Sequence, residues 1–293
     1  MKYLILGNGY IGKYLLKHLP DATMDMGKIL GPEDVQAILA GAGPDEVLVN
    51  CIGKTGRPNI DWCEDHRTET AQANIMVPWW IAEECKKQGR YWIQIGSGCV
   101  YDGYEREWSE MDPPNFHGSF YAITKAISQT YLALYKDALI LRIRMPIDEG
   151  MQERCYISKL LRYVQEGKSL FNAKNSMTYL KDLAYVIKTL ANIKATGTFN
   201  VVNPGPLTAE ELLEIYAPGT KAIIEPKETV EARLKAKRSN CVLSIDKLEM
   251  LGIRLPELAN RIREVKSRNS ERGVAGGIGR SIIIPIPEEK NND

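Results

Sequence analysis

The sequence predicts an α/β fold: a doubly wound parallel sheet followed by a small C-terminal region. Three observations predict it. Short apolar runs alternate with amphipathic helical stretches as far as Pro146, the pattern of parallel strands joined by crossover helices. The first run, Tyr3–Leu6, opens onto Gly7-Asn-Gly9-Tyr10-Ile11-Gly12 and then a helical stretch. Glycines in that context are a dinucleotide fingerprint. A later apolar run ends on Ser97, and Tyr121-x-x-x-Lys125 follows on a predicted helix.

Taken in order, the elements carry candidate functions. Gly7 allows a tight turn, Gly9 a close approach of a pyrophosphate, and Gly12 close packing of helix on strand. Tyr10 and Ile11, within the glycine motif, are expected to line the cofactor, whose pyrophosphate would sit on the helix N-terminus, where free amides and the dipole favour an anion. The predicted helix spans 13–19, and a second strand ends near Met24-Asp25. Asp25 at a strand end suits the ribose hydroxyl of NAD, whereas Lys28 suits the extra phosphate of NADP. Either NAD(H) or NADP(H) is therefore expected.

A helix is predicted over 32–40 and a buried strand over 46–51. The loop after it, with Gly53, Arg57 and Asn59, lies at a strand's carboxyl end, where open α/β sheets bind ligands. Gly53 is expected to line the cofactor. Arg57 is a candidate contact to a substrate anion, or a solvated surface arginine. One long helix is expected over 66–88. It carries Asn74, which faces water or bonds a sheet backbone group beside the cofactor. The strand 90–95 delivers Ser97, and a polar loop follows. On the next helix Tyr121 and Lys125 share a face, being four residues apart. A free phenol titrates near 10, too high for acid-base work at neutral pH, and an adjacent ammonium lowers it. The strand 138–144 then ends at Met145-Pro146, beside the expected nicotinamide.

Beyond Pro146 the alternation loosens. Helices are predicted over 155–166 (carrying Lys159), 179–190 and 208–216, with 175–178 opening the second of these. A strand is expected over 197–202. Thr208 and Glu211 form a capping box. These patterns divide the chain into a Rossmann-type dinucleotide-binding domain over 1–146, its sheet completed by about 175–203. A lid-like substrate-binding region takes 147–174 and 204–267. A tail, 268–293, has no assigned role, and its apolar run 281–287 needs cover.

Composition narrows the class. With 38 basic and 37 acidic residues, nothing favours nucleic acid over a small metabolite. No apolar run is long enough for a bilayer, and the start shows no signal-peptide pattern. The six cysteines are scattered without Cys-x-x-Cys, and the histidines lack metal-ligand spacing, so reduced thiols in a cytosol and no metal are expected.

With these residues in place, the chain resembles the extended short-chain dehydrogenase/reductases, and within them the nucleotide-sugar epimerase-reductases of UDP-rhamnose synthesis. The narrower marks are Thr55-Gly-Arg-Pro-Asn-Ile-Asp-Trp-Cys-Glu64, Pro114-Asn115-Phe-His-Gly-Ser-Phe-Tyr121, Leu141-Arg-Ile-Arg-Met-Pro-Ile147, Asn175-Ser-Met-Thr178, Phe199-Asn-Val-Val-Asn-Pro-Gly205 and Arg238-Ser-Asn240. They cover about residues 1 to 265. The loop between Gly103 and Asp112 is unlike the family. The resemblance implies that Ser97 and Tyr121 hold and protonate a 4-keto oxygen, and that Lys125 binds the nicotinamide ribose. It implies that Cys99 and Lys159 are the acid-base pair of the epimerase, with Arg238 on the substrate diphosphate. Asn59, Asn115 and Asn175, in the matching motifs, are carried over as substrate-binding. A homodimer through the helices 66–88 and 121–135 is expected.

The activity implied is 3,5-epimerisation and 4-reduction of a nucleotide-linked 4-keto-6-deoxyhexose. Two alternatives stand beside it. One is a 4-reductase with Cys99 and Lys159 merely structural. The other is a non-catalytic dinucleotide-binding regulatory subunit, which the presence of Ser97, Tyr121 and Lys125 together disfavours.

Overall fold

A computed structural model describes residues 1–271. The chain begins with β1 (Tyr3–Leu6), α1 (Tyr10–His18), β2 (Ala22–Asp25), α2 (Pro32–Gly41) and β3 (Val47–Asn50). Two short helices follow, α3 (Trp62–Asp65) and α4 (Arg67–Ala71). A π turn (Gln72–Met76) leads into α5 (Val77–Lys87). Then come β4 (Trp92–Ser97), β5 (Gly103–Trp108), α6 (Phe120–Leu132) and β6 (Ala138–Ile143). The remainder is α7 (Tyr156–Gln165), β7 (Asn175–Met177), α8 (Leu180–Asn192), β8 (Gly197–Asn200), β9 (Asn203–Leu207), α9 (Ala209–Tyr216), α10 (Lys227–Glu231), β10 (Cys241–Leu243), α11 (Asp246–Met250) and α12 (Leu258–Glu271).

Six strands form one parallel sheet in the order β2-β1-β3-β4-β6-β8. Its strands alternate their side chains between two buried faces. Tyr3, Ile5, Val47, Val49, Ile93, Ile95, Leu139 and Leu141 meet helix α8 on one side, with Tyr14 and Leu15 of α1. Leu6, Leu48, Trp92 and Ile140 meet α2, α5 and Leu132 of α6 on the other. Burial on both faces is what such apolar runs require. The strand order reverses between β1 and β3, and ligands of open α/β sheets bind at that crevice. The C-terminal region has its own apolar cluster, built from Ile157 and Leu160 of α7, Leu212 and Leu213 of α9, and Ile262 and Val265 of α12.

Four elements differ from the sequence reading. The 66–88 stretch is two helices joined through the π turn, not one regular helix. The polar loop after Ser97 contains β5, which pairs in parallel with β10. Residues 175–177 open no helix: they pair antiparallel with β9. Helix α12 continues to Glu271, so 268–271 are helical rather than tail. The rest of the expected tail, with its apolar run, lies outside the described residues. Among the described residues no helix is long and apolar enough to cross a membrane, and no His/Cys/Asp/Glu cluster suits a metal. All six cysteines are free.

Candidate active site

The glycine turn sits at the strand-order reversal. Gly7 has φ +98°, and a Cβ there would come within 3.0 Å of the Ile52 backbone nitrogen. A Cβ on Gly12 would lie 1.9 Å from the Gly7 carbonyl oxygen, so only glycine lets α1 start this close to β1. Gly9 is different: a Cβ there would meet nothing within 4 Å. The space beside its backbone is open, as a close-approaching phosphate needs. Asp25 closes its own turn by accepting from the Gly27 amide at 2.8 Å, and Lys28 is exposed.

Ser97 ends β4 with 3% of its surface exposed. Its hydroxyl accepts from the Cys99 amide at 3.1 Å, and its carbonyl accepts from Gln129 Nε2 at 3.0 Å. Helix α6 brings up the other two members. Its N-terminus is fixed by Ser119, whose hydroxyl accepts from the Ala122 amide, and by Glu64, which accepts from the Phe120 amide at 2.6 Å. Tyr121 and Lys125 are both buried, and Lys125 Nζ lies 3.4 Å from the Ile95 carbonyl oxygen.

Electrostatics here correct the sequence expectation. Burial pushes the Tyr121 phenol above its usual range, and the Cys99 thiol adds to this, against the pull of the Ser97 hydroxyl and the Arg144 charge. The expected lowering by the lysine is not what sets the shift; desolvation of the phenolate is its largest cause. Burial also lowers the Lys125 ammonium to about 8, opposed by the thiols of Cys99 and Cys51. Cys99 is half-buried beside the trio. Lys159, on α7, stacks over the Tyr163 ring at 5.4 Å. Burial lowers its pKa, Tyr163 opposes this, and the charges of Arg238 and Arg162 add to the lowering.

Several expected site residues carry internal hydrogen bonds. Asn175 is 4% exposed; it accepts from Arg144 and from the Cys241 amide, and donates to Asn240 at 3.0 Å. Its amide has no free face for substrate. Asn115 both accepts from and donates to the Asp102 backbone, at 3.0 and 2.9 Å. Asn74 accepts from the Lys54 amide and donates to the Lys54 carbonyl and Thr124 Oγ1. It pins the loop after β3, and it lies within the π turn. Gly53 lies against it: a Cβ would be 3.4 Å from Asn74 Oδ1 and 3.9 Å from Lys125 Nζ. The Tyr10 ring turns towards Asp148 and Cys155, leaving its backbone amide at the start of α1. Ile11 packs on the sheet core. Met145 lies two residues beyond β6 with φ +37°. Arg238 is paired with Asp61 at 2.9 Å and reaches Asn59 at 3.4 Å, and Asn59 also accepts from the Asp61 amide. Arg57 is exposed.

Sequence reasoning gave Arg144 no role. It is 1% exposed and donates to the Gly98 carbonyl at 2.9 Å, to the hydroxyl and carbonyl of Ser239, and to Asn175. It thereby ties the Ser97 turn to the C-terminal region. The signal was present in Leu141-Arg-Ile-Arg-Met-Pro: Arg142 in a fully buried strand and Arg144 just beyond it both need partners.

Residues 1–270 match the family described as the RmlD substrate binding domain. The chain belongs to that family. A bifunctional dTDP-4-dehydrorhamnose 3,5-epimerase/dTDP-4-dehydrorhamnose reductase of Arabidopsis thaliana is 34% identical over 269 residues, 84% of this chain and 86% of that protein. A trifunctional UDP-glucose 4,6-dehydratase/UDP-4-keto-6-deoxy-D-glucose 3,5-epimerase/UDP-4-keto-L-rhamnose-reductase of the same plant is 33% identical over 85% of this chain. The match spans only 39% of that longer protein. The crystal structure of a UDP-rhamnose synthase from Acanthamoeba polyphaga mimivirus superposes with a TM-score of 0.85 at 32% identity, covering 92% of this chain and 99% of that one. Membership of the RmlD family thus joins the glycine turn and the Ser97, Tyr121 and Lys125 arrangement to relatives named as epimerases and reductases.

Proposed function

We propose that this protein is an NAD(P)H-dependent 3,5-epimerase/4-reductase of nucleotide-linked 4-keto-6-deoxyhexoses, with UDP-4-keto-6-deoxyglucose as substrate and UDP-L-rhamnose as product. The observation that carries the reading is the placement of Ser97, Tyr121 and Lys125 with Cys99 at the carboxyl end of β4, in the sheet whose β1 opens into the glycine turn. We choose UDP over dTDP because two of the relatives, the mimivirus synthase and the trifunctional plant enzyme, are named for UDP sugars.

The glycine turn fits a dinucleotide: Gly9 leaves room for its pyrophosphate and the start of α1 offers amides. Lys125 would hold the nicotinamide ribose, and Asp25 or Lys28 would meet the adenosine ribose or its phosphate. When bound, NAD(P)H supplies the hydride for C4. The residues of the chain do the rest. A 4-keto group makes the C3 and C5 hydrogens acidic, and Ser97 and Tyr121 stabilise the oxyanion that forms when either proton leaves. Cys99 and Lys159 take and return those protons on opposite faces of the ring. Burial of Lys159 favours its neutral amine, the form that accepts a proton. Burial of Tyr121 favours the phenol, the form that gives its proton to the C4 oxygen as reduction proceeds. We also assign a cytoplasmic homodimer, through the exposed apolar residues Trp79 of α5 and Ile127 of α6, with Leu134 just beyond that helix.

The test is incubation with UDP-, dTDP- and GDP-linked 4-keto-6-deoxy sugars plus NADPH or NADH, with products identified by NMR. An L-rhamnosyl product from the UDP substrate is expected. Loss of reduced cofactor with no inversion would leave a simple 4-reductase.

A further inference from the structure

The reaction residues leave two arginines unused. Arg154 lies just before α7, and its Nη1 donates to Thr55 Oγ1 at 3.1 Å. Thr55 belongs to the loop after β3 that also carries Arg57. That hydrogen bond brings the Arg154 guanidinium to this loop two residues from Arg57; burial lowers the Arg154 pKa, Arg57 adds to the lowering, and Glu153 opposes it. Neither arginine has a carboxylate at ion-pair distance among the described residues. The nearby acids are engaged elsewhere: Glu153 with Arg162 at 3.7 Å, and Asp61 with Arg238 at 2.9 Å.

Two like charges on adjoining segments, one of them half-buried, raise the free energy of the empty protein. An anion with several oxygens removes that cost, and planar guanidinium forks suit phosphate best. The cofactor's pyrophosphate has its own cradle at the glycine turn. The resemblance places Arg238 on the substrate diphosphate, but Arg238 is already held by Asp61 and Asn59. We propose that Arg154, through its hydrogen bond to Thr55, and Arg57 on the same loop form the clamp for the diphosphate of the nucleotide-sugar substrate. This rests on the nucleotide-sugar reading above. It assigns the loop after β3 a second task, besides the hydrogen bonds that pin it to Asn74.

Isothermal titration with UDP, dTDP, uridine and NADPH tests it. Wild type should bind UDP, and inorganic pyrophosphate should compete. Arg154→Ala and Arg57→Ala should each weaken UDP about 10–100-fold, the scale of one charge-assisted hydrogen bond. Uridine, which has no phosphate, and NADPH should bind both variants as they bind wild type. Thr55→Val removes the bridging hydrogen bond but keeps both charges, and should bind UDP much more tightly than Arg154→Ala does. If Thr55→Val is as weak as Arg154→Ala, the contact is only structural and the clamp is refuted. Equal UDP affinity in wild type and both arginine variants refutes the clamp while leaving the nucleotide-sugar reading intact. A wild type that binds neither UDP nor dTDP removes both.

Discussion

Replacing Gly9 by valine separates a ligand cradle from a structural turn. Gly9 has φ −74° and ψ −172°, an extended backbone open to any residue, and its added Cβ meets nothing within 4 Å. The fold therefore loses little. Valine is a poorer helix N-cap than glycine by about 0.5–1 kcal/mol, a fall in Tm of about 2 °C. The branched side chain nonetheless fills the space beside the first amides of α1. Losing one or two charge-assisted bonds to the pyrophosphate weakens NADPH by about 10–100-fold or more. Gly12→Ala is the contrast. Its methyl would sit 1.9 Å from the Gly7 carbonyl oxygen, so α1 must move, at an overpacking cost of about 1–3 kcal/mol. Fluorescence titration of NADPH, with thermal melting in parallel, reads both quantities. Unchanged NADPH affinity in a folded Gly9→Val variant would refute the cradle.

Tyr121→Phe keeps the buried ring but removes the proton donor, so 4-reduction should fall about 10²–10⁴-fold with NADPH affinity nearly intact; near-normal turnover in a coupled assay would dismiss the trio. The Lys125 ammonium is lowered to about 8 by burial, so it is charged below that pH and neutral above it. Accordingly kcat/KM, which reports the free enzyme, should decline above about pH 8, and a profile flat to pH 10 would contradict this. Sedimentation at micromolar concentration should show a dimer, and Leu134→Glu, at a residue 80% exposed in one chain, should weaken it. A wild type that sediments only as monomer ends the assignment.

The sheet was legible because its signals are local. Tyr3–Leu6, 46–51 and 138–144 are apolar runs between turns, and alternating burial on two faces explains each. The turn at Gly7 was equally readable, since backbone crowding there depends on neighbours within a few residues and on one strand beside it. Strand β5 was not legible: Gly103–Trp108 contains Tyr-Glu-Arg-Glu and is mostly exposed, and its partner β10 is distant in sequence. Asn175 and Asn115 carried no sign of their bonding, because amide partners are set by tertiary neighbours. A motif marks such a residue without saying whether it meets a ligand or another strand. The phenol of Tyr121 shows the same limit: lysine at i+4 is visible in sequence, but the burial that raises the phenol is not.

The central claim is that one site inverts two centres and reduces a third. Its most direct test is a single reaction in D2O, with UDP-4-keto-6-deoxyglucose and NADPH, and the product read by NMR. The account predicts UDP-L-rhamnose carrying deuterium at both C3 and C5, with hydrogen from the cofactor at C4. Wild type without NADPH should still exchange both positions, and Cys99→Ser and Lys159→Ala should each lose exchange at one or both. A 6-deoxy-D-hexose product with no deuterium at C3 or C5 would contradict the epimerase and leave a plain 4-reductase.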